Sequence, residues 1–97
     1  MKAADPHITL SAERVKTGDS LIMTGTGFTP NRLATSHLLG PDGMEYNPLR
    51  LRINERGEIS HRIDSTMLEP GNFEVWVDDD GSGMVSNRLR FTHTAAK

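Results

Sequence analysis

The feature that most constrains this chain is a two-residue hydrophobic period that recurs in short runs. Leu49, Leu51 and Ile53 alternate with Arg50 and Arg52; Ile59, His61 and Ile63 alternate with Ser60 and Arg62; Phe73, Val75 and Val77 alternate with Glu74 and Trp76. Successive side chains of an extended strand point to opposite faces, so each run builds one apolar face and one wet face. Turn formers stand between the runs: Thr17-Gly18-Asp19, Gly40-Pro41-Asp42-Gly43, Glu55-Arg56-Gly57, Glu69-Pro70-Gly71-Asn72 and Asp78-Asp79-Asp80-Gly81-Ser82-Gly83. Turn signals about every 8–12 residues are the spacing of short strands in a sandwich or barrel. Strands are therefore expected at His7–Ser11, Leu21–Thr24, Arg32–Leu39, Leu49–Ile53, Ile59–Ile63, Phe73–Val77 and about Val85–His93. No window combines apolar residues at helical spacing with start and stop signals, and Ser65–Glu69 is expected to form one helical turn at most.

With 97 residues the chain suffices for one domain and not for two. The domain is expected over residues 7–93, between an N-terminal tail at 1–6 and a C-terminal tail at 94–97. Charged residues make up 25% of the chain with a formal net charge of −2, which argues against a dedicated nucleic-acid binder. The absence of cysteine excludes a disulfide framework, a CxxC redox motif and a thiolate metal site. Packing alone, or support from neighbouring subunits, must then hold so small a domain together. No apolar run approaches the length that spans a bilayer, so no membrane insertion is expected. The opening Met1-Lys2-Ala3-Ala4-Asp5-Pro6 lacks the apolar central region of a secretory signal. It fits a product used without that export route or one from which a leader has been removed.

The run Gly18-Asp19-Ser20-Leu21-Ile22-Met23-Thr24-Gly25-Thr26-Gly27-Phe28-Thr29-Pro30-Asn31 has a physical logic of its own. Gly18-Asp19 bends the chain before a strand. Gly25 and Gly27 allow positive φ or close backbone approach where that strand ends. Phe28 can fold its ring back over the end of the core, and Pro30-Asn31 turns the chain toward the facing sheet. This run resembles the pattern of bacterial and phage immunoglobulin-like domains of the transcription-factor and bacterial-adhesin types. Gly57-Glu58-Ile59 resembles the opening of a middle strand in such domains, and Pro70-Gly71-Asn72-Phe73 resembles the Pro-Gly-x-aromatic entry to their sixth strand. Phe73 stands where these domains often carry tyrosine, so a hydrogen-bonded tyrosine corner is not expected. The resemblance covers about residues 7–93 and implies an all-β, immunoglobulin-like sandwich of about seven antiparallel strands without a disulfide. Such folds carry many unrelated functions.

Strand parity turns Trp76 and Glu74 outward and sets Arg88 and Arg90 outward on the next strand. A tryptophan beside an arginine can be plain cation–π shielding, or an interaction surface built from residue types enriched at hot spots. Trp76, Arg88, Arg90 and Glu74 are the candidate site. Arg50, Arg52 and Arg62 share an outward parity on what read as neighbouring strands; in a net acidic chain they read as a solvated face. Asp78–Gly83 matches the first half of a calcium loop, but Leu89 occupies the position of its final glutamate, so a solvated hairpin loop is the better reading. His7, His37, His61 and His93 form no close ligand pair; His61 shares the parity of Ile59 and Ile63 and reads as a core-edge residue. No metal and no cofactor is expected. With no GxSxG elbow, phosphate-cradling loop or metalloprotease helix in the sequence, no enzyme activity is expected either.

The expectation is a structural and protein-interaction module displayed on a surface. Its setting is either a phage virion, as a capsid decoration or tail-associated protein, or a bacterial cell-surface or secreted protein with a role in spacing or adhesion. Its partner is another protein or the virion or cell-surface assembly, with a homo-oligomer also admitted. Carbohydrate recognition is the alternative, although Trp76, Tyr46 and three phenylalanines make a thin aromatic platform.

Overall fold

The computed structural model describes residues 5–95, and over these the alternating runs become eight strands. They are β1 (His7–Leu10), β2 (Arg14–Lys16), β3 (Ser20–Thr26), β4 (Leu33–Leu39), β5 (Leu49–Arg52), β6 (Ile59–Asp64), β7 (Gly71–Asp79) and β8 (Leu89–Thr94). One sheet has the order β1-β3-β6 and the other the order β2-β8-β7-β4-β5. The helical turn expected after residue 64 is a 3₁₀ turn, Ser65–Met67, whose first backbone donors are capped by the Asp64 carboxylate accepting from Thr66 N.

The all-β sandwich agrees with the period of the sequence, and two details differ from expectation. One is the extra strand. The chain leaves the first sheet after Leu10 and joins the second as β2, which runs parallel to β8 (Arg14 opposite Thr92, Lys16 opposite Thr94). The other is the last strand, which begins at Leu89 rather than near Val85. Val85 makes only an isolated bridge to Asp78, because the Ser86 hydroxyl accepts the Val77 amide at 2.9 Å and so interrupts the ladder.

The core lies between the sheets. Ile8, Leu21, Met23, Phe28, Ile59 and Ile63 enter from one side or its loops; Ala34, Ile53, Phe73, Val75, Val77 and Phe91 enter from the other. Phe73 and Phe91 stack with centroids 5.2 Å apart, an offset aromatic pair of the kind that adds to area burial.

The glycine-rich run ends β3 by two different means. A Cβ on Gly25 would lie 2.8 Å from both Ile59 and Phe28, so the missing side chain is the seat into which Phe28 folds. Gly27 adopts φ +78°, a left-handed conformation that glycine takes without strain. Asn31 follows at φ 61°, and the chain crosses from β3 in one sheet to β4 in the other.

Asn87 ties the two sheets together across the open end of the β7–β8 loop. Its Oδ1 accepts the Ile8 amide at 2.8 Å and its Nδ2 donates to the Ile8 carbonyl at 3.1 Å. The side-chain amide thus satisfies both backbone groups of a fully buried residue, as a neighbouring strand would.

Candidate interaction surface

The outward face of the five-stranded sheet is built by the wet parity of β4, β7 and β8. His37 stands opposite Trp76 across the β4–β7 pair, and Glu74 stands opposite Arg90 across the β7–β8 pair. The β7–β8 register, extended beyond Leu89, brings Arg88 beside Trp76. Its guanidinium carbon lies 4.1 Å from the centroid of the indole. On the other side the His37 ring stacks on the indole at 5.2 Å and 10°.

A continuous strip results. Arg88 also donates to Glu74 Oε1 at 2.7 Å, and Arg90 donates to Glu74 Oε2 at 3.4 Å. Hydrogen bonding from Arg88 is the main cause that holds the Glu74 carboxyl below its ordinary pKa. At the far end His37 Nδ1 meets Glu45 at 2.8 Å and Nε2 meets Asp78 at 2.8 Å. Followed from contact to contact, the strip runs Glu45, His37, Trp76, Arg88, Glu74 and Arg90. All four residues singled out from the sequence come together here. His37 and Glu45 were missed; parity alone would have turned His37 outward, but its carboxylate partners come from a following loop and from β7.

Both faces of the Trp76 indole are thus covered, one by an imidazole and one by a guanidinium. Sugar-binding platforms offer a bare aromatic face for stacking; this ring offers its edge. Tyr46 is half-buried, with its ring centroid 6.0 Å from that of Phe73.

The remaining candidates separate. Arg50 and Arg52 lie on β5 in the five-stranded sheet, whereas Arg62 lies on β6 in the other sheet. The expected neighbourhood of these arginines is corrected: the chain crosses the sandwich between Arg52 and Ile59, so their charges leave from different sheets. Arg50 instead pairs with Asp80 at 3.6 Å.

The three carboxylates of Asp78–Asp80 also diverge. Asp78 binds His37; Asp80 accepts from the Thr35 hydroxyl at 3.0 Å. Asp79, only 2% exposed, accepts Thr29 N and Thr29 Oγ1 on Oδ2 at 2.8 and 2.9 Å, and Gly81 N on Oδ1 at 3.0 Å. Burial raises its pKa, but bonds from Thr29, Ser82 and Gly81 outweigh it, and the net shift is downward. The loop is a hydrogen-bonded turn anchored by one internal carboxylate.

His61 lies at the core edge, as its parity implies, in a cleft where the sandwich opens between β6 and the β4–β5 pair. Leu38, Leu49, Ile63, Leu68 and Val75 line that cleft with it, and burial lowers its pKa.

No protein-family model matches the chain, and no curated protein matches it. Solved structures do. One is the chitinase ChiW of Paenibacillus sp. strain FPU-7, described as a bacterial cell-surface-expressed multi-modular enzyme machinery: TM-score 0.58 at 16% identity, over 95% of this chain and 8% of that one. Another is a CARDB domain from Pyrococcus furiosus, solved in complex with di-metal ions: TM-score 0.52 at 9% identity, over 100% of this chain and 99% of that one. At these identities the likeness is one of fold, that of a small β-sandwich matching a whole domain in one case and one small part of a large multi-modular chain in the other.

Proposed function

We propose that this chain is a non-enzymatic structural and protein-interaction module of a multi-modular cell-surface or secreted protein, and that it engages its partner through the Glu74–Trp76–Arg88–Arg90 strip. The strip carries the proposal. It is a row of one tryptophan and two arginines on a broad sheet face, and these residue types supply much of the energy at protein interfaces. Because Trp76 and Arg88 are already held by their neighbours, binding would cost little side-chain entropy at these two residues. The fold's occurrence as a small part of a large surface enzyme supports the cell-surface setting; no feature of the strip favours the virion setting.

The test is binding of the domain to the other domains of its own polypeptide and to cells that display it. Wild type is compared with Trp76→Ala and Arg88→Glu, with folding checked by circular dichroism. Loss of binding in folded variants supports the proposal, and binding equal to wild type removes the strip from consideration. Co-sedimentation with insoluble polysaccharide that is abolished in Trp76→Ala would replace it with carbohydrate recognition.

A further inference from the structure

The environment of His37 has chemistry that a structural stack does not need. The imidazole side chain is 17% exposed, and each of its nitrogens lies 2.8 Å from a carboxylate oxygen, Nδ1 from Glu45 and Nε2 from Asp78. A neutral imidazole carries one N–H and one lone pair. It can donate to one of these carboxylates only, and its lone pair would then face the oxygen of the other. Only the imidazolium satisfies both contacts. The two carboxylates flank opposite edges of the ring, so they cannot close together on a shared metal ion.

We infer that His37, Glu45 and Asp78 form a pH-sensitive latch: the protonated ring is clamped between the two carboxylates and against Trp76, and loss of its proton releases one carboxylate and the cation from the indole face. Glu45 is the group released. It sits in the loop after β4, whereas Asp78 is fixed within β7. The loop backbone stays in place through Gly40 N to Met44 O at 2.9 Å and Tyr46 N to Leu38 O at 2.8 Å, so the moving parts are the two side chains. Below the transition Trp76 has a cation on each face; above it, Arg88 alone remains.

The other charges on this face do not reverse the sign. Arg50 and Asp80 pair with each other one residue pair further along the sheet, and Arg88 lies beyond the indole with its charge engaged by Glu74. Burial lowers the pKa of His37, but the bonds and charges of Glu45 and Asp78 outweigh it and the net shift is upward. A histidine whose folded pKa exceeds its unfolded value contributes its full stabilisation below the unfolded value, near about 6.5. That contribution is lost as pH rises through the higher folded value. The latch therefore closes toward acid and opens toward alkaline pH, whether or not Trp76 meets a partner.

The chain's sole tryptophan is the built-in reporter. Imidazole nitrogens of the full chain are titrated by long-range ¹H–¹⁵N NMR while Trp76 emission is followed over the same pH range. The expected result is a His37 midpoint above that of the same chain in urea, with both nitrogens protonated below it. Trp76 emission should inflect at that midpoint, and the inflection should vanish in His37→Gln. Glu45→Gln and Asp78→Asn should each shift the midpoint to lower pH. A His37 midpoint at or below the urea value overturns the latch, as does one that neither carboxylate variant moves. A flat Trp76 titration across the NMR midpoint overturns its coupling to the indole.

Discussion

Replacing Asp79 by asparagine is the most informative single perturbation of the fold. The side chain is nearly isosteric, so no cavity forms and the change is one of hydrogen-bond chemistry. The native carboxylate accepts Thr29 N and Oγ1 on one oxygen and Gly81 N on the other. A carboxamide has one acceptor oxygen. If it keeps the Thr29 pair, its NH₂ faces the Gly81 N–H and that donor is left without a partner; if it turns over, the Thr29 amide loses its partner instead. Downgrading two charge-assisted bonds to neutral ones costs about 1 kcal/mol each, and leaving the part-buried Gly81 or Thr29 amide without its partner about 1–2 kcal/mol. Since part of each loss is recovered by relaxation, the expected destabilisation is about 2–4 kcal/mol. A domain of this size has roughly 5–15 kcal/mol in all, and 1 kcal/mol moves its Tm by about 4–8 °C.

Urea unfolding followed by far-ultraviolet circular dichroism reads the loss directly. The pH dependence provides a second reading. Asp79 has a folded pKa below its unfolded value, so its contribution is complete above the unfolded value, near about 3.9. It disappears as pH falls through the lower folded value. The gap between wild type and Asp79→Asn should therefore close in acid. A gap under about 0.5 kcal/mol at neutral pH, the size of an ordinary surface change, would refute the assignment of Asp79 as an internal anchor. So would a gap that survives full protonation.

Trp76→Ala removes the imidazole stack and the cation–π contact and should cost about 1–2.5 kcal/mol without altering the circular dichroism spectrum; an unfolded variant would show that the ring belongs to the core. Gly57→Ala places a Cβ 2.5 Å from the Phe28 carbonyl at φ +76° and should lower stability by about 2 kcal/mol or more, measured by thermal melting. Asn87→Ala leaves both backbone groups of Ile8 unpartnered at a cost of about 1–3 kcal/mol, and the Ile8 amide should lose hydrogen-exchange protection before those of β3.

The two-residue period made the core strands legible because one-sided burial imposes it on every long strand. Phe73, Val75, Val77 and Phe91 all point inward as their parity requires. Trp76 beside Arg88 was legible for the same reason, since a register shift of two residues still leaves an arginine alongside. The same parity carries Asp79 inward after Val77, but three consecutive aspartates before a glycine carry a stronger turn signal that masks it. β2 was hidden because three residues with one apolar member, Val15, hold no period. The paired arginines misled because a six-residue connection from Arg52 to Ile59 reads like a hairpin, while here it crosses between sheets. His37 was silent because its partners lie 8 and 41 residues away, and no local pattern couples such positions.

The parallel β2–β8 pair has a mechanical consequence. Its ladder is flanked by Thr92 N to Glu13 O at 2.9 Å and Thr17 N to Thr94 O at 3.1 Å, and is braced where the buried His93 ring bonds the Thr17 hydroxyl at 2.9 Å and lies 2.9 Å from the Glu69 carbonyl oxygen. Because the two strands run the same way, a pull toward the start of β2 and the end of β8 slides one along the other. Tension then strains all the rungs at once instead of peeling them in turn, so the domain resists stretching along that axis better than its modest size would suggest.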